Sequence, residues 1–349
     1  MLIPVEELTA LMTEALQARG FPPDDAAFIA ADYLGAELEG RRTHGIGRFV
    51  VIDRYLDPAA GRPAVVEDHH AVSVVDGNRG IGQLVCREAT TLAVAKAKSY
   101  GLGAVAARSF TRFSRLKVYT DLVAAQGLIG VAVNCGGAPP LVPPPHARRP
   151  VLGTNPIAFG FPRAGAICSF DFATSERAWG NVRQAVLDET SLPPGFVDAD
   201  GRATTDPALA AGVLAAGGGK GFALAFAIEV ISGALAGAAL GPDQTSQLDL
   251  GFLVIALDPT AFGVSVDAVA SGVRRLSEHI AAAPAVPDGP AQPHAPGDRS
   301  RAAAEAALAA GMLEVRAEVL GRLRRMALGG SVEDDLPNLT AAEPGGARR

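Results

Sequence analysis

The chain is poor in the residues that build metal sites, disulfide scaffolds and nucleic-acid surfaces. Its 349 residues include three cysteines, Cys86, Cys135 and Cys168, at wide spacings that match no metal pattern. An odd count without pairing suits a reducing compartment. Aromatic residues make up only 5% and the net charge is −6. No basic cluster interleaves with aromatics, which argues against nucleic acid as the main ligand. No apolar run approaches the ~20 residues that a membrane helix needs. The N-terminal MLIPVEELTALM has no basic stretch ahead of an apolar core, so no signal peptide and a cytoplasmic location are expected. No Gly-x-Gly-x-x-Gly stands at a strand-to-helix turn, so nothing supports a Rossmann dinucleotide fold. What is abundant is core: 48% apolar against 19% charged residues, enough for one large domain or two ordinary ones.

The segment Val151–Trp179 holds the densest pattern. Gly153-Thr154-Asn155-Pro156 is a tight-turn tetrapeptide, and apolar residues follow from Ile157 to Phe161. Pro162-Arg163-Ala164-Gly165 breaks the run before Ile167–Phe172, so two strands joined by a short connection are expected. Asp171 lies inside the second strand, where a carboxylate requires a partner. Thr174-Ser175 precedes Glu176-Arg177-Ala178-Trp179 as a helix N-cap would, and a free helix N-terminus can hold phosphate or carboxylate. A capped helix without a ligand fits the same residues.

Upstream, Val5–Gly20 and Asp25–Glu39 read as helices, the first with Leu8, Leu11, Met12, Ala15 and Leu16 on one face. Arg41-Arg42-Thr43-His44-Gly45-Ile46-Gly47-Arg48 follows. A histidine beside a hydroxyl can move a proton near neutrality, and an arginine four residues on can clamp a carboxylate. A helix C-terminus that attracts cations and ends on glycine accounts for the same residues. The middle of the chain alternates strand and helix: 71–76, 83–99, 103–107, 120–126 and 128–133. Asn134-Cys135-Gly136-Gly137-Ala138 then offers small residues and free amides. Ala216-Gly217-Gly218-Gly219-Lys220-Gly221-Phe222 opens an apolar helix expected over 223–240, a glycine run suited to phosphate. It is not a Walker A loop, because Leu214 and Gly221 stand where that motif needs glycine and Ser/Thr. Further helices are expected over 269–282 and 300–327, and a polar tail over 334–349. His69-His70 and His146 read as surface residues.

LGTNPIAFGFP followed by FDFATS, together with Thr43-His44-Gly45-Ile46-Gly47-Arg48, resembles the type 2 malate/L-lactate dehydrogenase family. The resemblance is nearest its Δ1-piperideine-2-carboxylate and Δ1-pyrroline-2-carboxylate reductase branch. It implies an α/β (α+β), non-Rossmann NAD(P)-binding fold. A mainly helical domain would be formed by 1–72 with 265–349, and a mixed-sheet cofactor domain by 73–264. The implied activity is hydride transfer from NADPH (NADH possible) to C2 of a small 2-imino or 2-oxo acid. The alternatives are a malate/lactate-type 2-hydroxy acid dehydrogenase, or a diverged member that reduces a larger imine or binds cofactor without turnover. The implied state is a homodimer acting on a small carboxylate, without a metal.

By the same resemblance His44 is the proton donor, Arg48 holds the carboxylate and Thr43 supports the histidine. Asn134, Gly136, Thr154, Asp171, Phe172, Ala173, Thr174, Lys220 and Gly221 would hold the cofactor. Three departures stand out. Arg112 occupies the place of a family histidine, with Lys117 nearby where an aromatic is usual, so both cations become candidates to meet a second acidic group. His146-Ala147 replaces a glycine pair, and the segment after Gly241 is short.

Overall fold

A computed structural model describes residues 1–136, 139–287 and 292–330. The helical unit is built from α1 (Val5–Gln17), α2 (Pro23–Leu38) and α10 (Ala317–Ala327). In α1 the buried residues Leu8, Met12, Ala15 and Leu16 recur at helical spacing, and they meet Ile29 and Tyr33 of α2 and Leu320, Leu323 and Met326 of α10. β1 (Leu2–Pro4) pairs antiparallel with β12 (Met312–Glu314), and the Met1 ammonium donates to the Val315 carbonyl at 2.7 Å. The two ends of the described chain are thereby joined in one core, which also takes Phe49 from the short α3 (Ile46–Phe49).

The second unit is a seven-stranded sheet. Its strands are β2 (Ala64–His69), β3 (Val72–Gly80), β4 (Leu102–Phe110), β5 (Ile129–Gly136), β6 (Ile157–Arg163), β7 (Ala166–Phe172) and β11 (Leu250–Leu257), in the order β2-β3-β4-β11-β5-β6-β7. Only β3 and β4 run parallel, joined by α4 (Gly82–Tyr100); every other pair is antiparallel. The apolar runs that the sequence offers at β4, β5 and β11 are the buried centre of the sheet. α4 and α5 (Lys117–Ala124) cover one face, through Val85, Ala89, Ala93, Tyr119 and Val123. α8 (Val266–Ala281) lies on β6, and its Ala270 carbonyl accepts from the Ala164 amide at 3.3 Å. The sheet therefore draws in β2 and α8, on either side of 73–264. A small sheet of β8 (Phe196–Val197), β9 (Ala203–Thr204) and β10 (Gly212–Val213) closes over α6 (Gly180–Asp188) through Val182, Phe196 and Val213.

Two expected helices differ. The 300–327 helix is two helices, α9 (Asp298–Ala310) and α10, because Gly311 turns left-handed at φ +67° and Met312–Glu314 is claimed by β1. The 223–240 helix begins earlier, as α7 (Gly219–Ile228), and widens into a π-helical turn over Glu229–Ala234 around the buried Glu229. The 334–349 tail lies outside the described residues. No described helix is long and apolar enough to cross a membrane.

Helix α4 sits so close to β4 that a side chain on Gly103 would land on the carbonyl oxygen of Ala93. Gly103→Ala is expected to lower unfolding free energy by about 1–3 kcal/mol, as overpacking does, measured by urea titration.

Candidate functional site

The segment after α2 is shaped by one carboxylate. Glu37 accepts from the Ile46 amide at 3.0 Å, and a side chain on Gly45 would collide with its Oε2. Burial pushes the Glu37 carboxyl up, against the opposing pull of that amide and of Arg42. Between these anchors a 3-10 turn over Arg42–His44 presents the histidine. The Thr43 hydroxyl is 2.9 Å from His44 Nδ1, and Ser114 donates to the His44 carbonyl at 2.9 Å. When Thr43 donates to Nδ1, the ring proton sits on Nε2, an assignment that follows from the hydrogen-bond pattern. Arg48, one helical turn on, stacks over the Tyr55 ring at 4.8 Å. Thr43, His44 and Arg48 thus stand together as the sequence predicts.

The loop between β4 and α5 supports this turn from below. Arg115 is buried between Asp32 at 3.7 Å and Glu39 at 2.9 Å, both on or next to α2. Asp171 has the partner its position demands: Oδ2 accepts the Leu116 and Lys117 amides at 3.2 and 3.1 Å, at the start of α5. Its negative charge is also felt at His44, where it favours the protonated ring. Asp171 therefore bridges the histidine and the loop. Lys117 is tied to Asp121 at 2.5 Å and to Glu39 at 3.7 Å, so it is not a free cation for a substrate. Arg112 is half-buried and already partnered within the protein.

The cofactor half is a set of interlocked loops. Thr174 donates its amide and its hydroxyl to the Thr154 carbonyl, each at 2.9 Å, and the hydroxyl also reaches the Asn155 carbonyl at 3.1 Å. Thr174-Ser175 is not an N-cap: the hydroxyls are spent on backbone carbonyls, and α6 begins only at Gly180. The segment pairs instead with 214–216, through Glu176 N to Leu214 O and Ala216 N to Thr174 O, both 2.8 Å. Gly217 and Gly218 follow, both at φ +64°, and side chains on Gly217, Gly218 and Gly219 would meet nothing within 4 Å. This exposed glycine turn leads into α7, with Lys220 exposed in its first turn and Gly221 packed on the Ala216 carbonyl. Phe172 is exposed at the end of β7 and Ala173 is half-buried beside it. A helix N-terminus without a side-chain cap, entered through exposed glycines, can take a phosphate.

Asn134 serves differently from the expectation. Its amide donates to the Cys135 and Gly251 carbonyls, so the side chain locks β5 to β11 rather than reaching outward. Gly136, at φ +102°, turns the chain where a side chain would strike the Asp249 carbonyl. Gly137 and Ala138 lie outside the described residues. His146 is an exposed turn residue at φ +65°.

Two features were missed from the sequence. Asn155, at φ +34°, donates to the buried Glu229 at 2.7 Å and to the Ala225 carbonyl at 2.9 Å, tying the 153–156 turn to α7. Glu229 also receives the Gly241 amide and Gln244. Arg183 of α6 donates to the Gly47 carbonyl at 3.3 Å, with Gly180 of the same helix set against Thr43. Their spacing of three places Gly180 and Arg183 on one helix face, which was the available signal.

The turn carrying Thr43, His44 and Arg48 and the glycine entry to α7 thus belong to a fold with a mixed sheet rather than a parallel Rossmann sheet. The family model described as malate/L-lactate dehydrogenase matches residues 3–324, and the chain belongs to that family. It is 34% identical to an L-sulfolactate dehydrogenase of Methanothermobacter thermautotrophicus, over 74% of this chain and 80% of the relative. It is 35% identical to a Δ1-pyrroline-2-carboxylate reductase of Burkholderia ambifaria, over 78% and 85%. The solved sulfolactate dehydrogenase of Methanocaldococcus jannaschii superposes with a TM-score of 0.82 at 30% identity, covering 96% of this chain and 99% of that one. The protein is a dehydrogenase/reductase of this family.

Burial lowers the His44 pKa to about 4; Asp171 opposes this, while Arg48, Arg115 and Arg41 add to it. The free enzyme therefore holds His44 neutral at physiological pH. For oxidation, the acid limb of kcat/KM is expected well below pH 6, and for reduction kcat/KM should fall as pH rises from 5 to 8. In stability the sign is the same as for any depressed histidine. Between pH 6.5 and about 4 the unfolded chain binds the proton that folded His44 refuses, so this group's contribution to stability is lost as pH falls through that window. His44→Gln, compared with wild type in melting scans from pH 4 to 7, should flatten that part of the profile.

Proposed function

We propose that the protein transfers hydride between NADPH and C2 of a small 2-oxo acid or cyclic 2-imino acid, as a homodimer in the cytoplasm. The observation that supports this is the turn that holds His44, with Thr43 on its Nδ1, together with Arg48, which forms no ion pair among the described residues. Asp171 lies within electrostatic reach of His44 on the strand that runs into Thr174, which pairs with Ala216 just ahead of Gly217–Gly219. Gly217–Gly219, Lys220, Thr154, Phe172 and Thr174 would hold the cofactor, and Gly136 and Asn134 would fix the neighbouring strand end. The bound cofactor supplies the hydride. Arg48 fixes the substrate carboxylate with its planar fork, so that C2 is held in one orientation. His44 gives its proton to the forming alkoxide or amine nitrogen, and the product is a 2-hydroxy acid or a cyclic amino acid. An incoming carboxylate offsets Arg48, which together with Asp171 raises the histidine toward the protonated state that donation needs.

A second reading is oxidation of a malate- or lactate-type 2-hydroxy acid. It is favoured by one observation: the neutral His44 of the free enzyme is already the base such a reaction requires.

The dimer reading rests on α7 and its π-helical extension. Leu224, Phe226, Val230, Ile231 and Leu235 are exposed there, interspersed with exposed alanines, and 223–235 carries no exposed charge. A stripe of this kind marks an interface.

Two measurements test these readings. NADH and NADPH oxidation would be followed with pyruvate, oxaloacetate, Δ1-piperideine-2-carboxylate and Δ1-pyrroline-2-carboxylate. Turnover with at least one is expected, reduced by about 10²-fold or more in His44→Ala while nicotinamide fluorescence still reports binding. Absence of both turnover and binding would refute the assignment. Light scattering should give twice 35.7 kDa for wild type and 35.7 kDa for a Phe226→Glu/Leu235→Glu variant.

A further inference from the structure

Arg183 of α6 reaches the 44–48 turn that carries His44, and Arg48 and Arg54 lie within electrostatic reach of it. Among the described residues Arg48 has the Tyr55 ring beneath it and no ion pair. Among the same residues Arg183 has a single hydrogen bond, to the Gly47 carbonyl, and its Nε is buried without a partner. Arg54, half-buried on the same side, makes its charge felt at Arg183, as do Arg48 and Arg316. Of this group Arg316 alone has an acid, Asp188 at 3.4 Å. Among the described residues no carboxylate forms an ion pair with Arg48, Arg54 or Arg183. The nearby acids are engaged elsewhere: Asp53 with Arg19, Glu37 with the Ile46 amide.

Uncompensated guanidinium groups packed together repel one another and lose hydration, a cost a protein normally removes with a carboxylate. The repulsion and burial together push the Arg183 pKa down. Arg48 alone would suffice for a substrate with one carboxylate. The second cation, reaching the same 44–48 turn from α6, matches a second anionic group.

We infer that Arg183 is a specificity-determining residue, binding a second carboxylate or sulfonate on the substrate while Arg48 holds the carboxylate next to C2. The preferred substrate is then a dianionic 2-oxo acid rather than a monoanionic 2-oxo or cyclic imino acid. This role replaces the one that the sequence offered to Lys117, whose charge is spent on Asp121 and Glu39. The inference rests on the assignment of Arg48 to the substrate carboxylate.

The test compares oxaloacetate with pyruvate in wild type, Arg183→Gln and Arg183→Lys. Wild type should prefer oxaloacetate. Arg183→Gln should lose about 100-fold in kcat/KM for oxaloacetate, the scale of a charged hydrogen-bonded pair, with pyruvate changed by no more than about 3-fold on the same basis. Arg183→Lys, which keeps the charge without the fork, should fall between. If Arg183 merely braces the Gly47 carbonyl, both substrates lose equally, and the inference is overturned. A wild type that prefers pyruvate overturns it as well. Thermal shifts with malonate against acetate, taken with NADPH present, read the subsite without turnover. Malonate should stabilise wild type more than acetate does, and Arg183→Gln should lose the difference. If no substrate is turned over but this malonate difference holds, the anion subsite stands and the proposed reaction falls. If the malonate difference is missing, the subsite falls even where turnover is seen.

Discussion

The site depends on one buried cation. Arg115 rises from the loop between β4 and α5 and is enclosed by Asp32 and Glu39 of the α2 segment, with Nη2 also donating to the Asp32 carbonyl at 3.2 Å. It lies so close to α2 that a side chain on Gly35 would run into its Nη2. This is the polar seam between the helical unit and the sheet. Burial raises the Asp32 carboxyl to about 6 against the pull of Arg115, the Ser114 amide and Gln83. A network of this kind contributes little net stability, since desolvation offsets most of the attraction. Its consequence is positional. Ser114, one residue before Arg115, holds the His44 carbonyl, and Leu116 and Lys117, just after it, hold Asp171. Four successive residues, 114–117, thus fix the histidine, its neighbouring acid and the interface between units.

Much of this was legible in the sequence because it is local. The Thr43–Arg48 turn, the Thr154 turn and the strand carrying Asp171 are each set by glycines, prolines and hydroxyls within a few residues, and the resemblance to the family falls on those stretches. The helices α1, α2 and α4 follow from their apolar spacing. What sequence reading missed is long-range. The break at Gly311 is decided by β1, some 300 residues away in the chain. Thr174-Ser175 has the composition of an N-cap, but the chain at 214–216 competes for its backbone and wins. Asn134 has the composition of a ligand contact, yet Gly251 takes its amide. Arg112 and Lys117 drew attention as unusual cations, while the one that faces the histidine turn, Arg183, sits in an ordinary helical context and is placed only by the fold.

The same distinction sorts the arginines by role. Arg115 is buried, and two carboxylates neutralise it, so it holds structure in place. Arg19 with Asp53 and Arg163 with Asp298 are likewise closed pairs. Arg48 and Arg183 are the opposite case: their charge is left open at the wall that carries His44. Burial is the main cause that keeps that histidine neutral, and Arg48, Arg115 and Arg41 add to it. An anionic substrate then changes two things at once. It supplies the counter-charge that the arginines lack, and at Arg48 it offsets part of the repulsion that adds to burial in keeping the ring neutral. Substrate charge is thus coupled to the protonation state of the acid/base group through Arg48, and the coupling strengthens with each negative charge the pocket admits. A substrate with two acidic groups would satisfy both arginines and shift the histidine further than one with a single carboxylate, linking the choice of substrate to the readiness of His44 to donate.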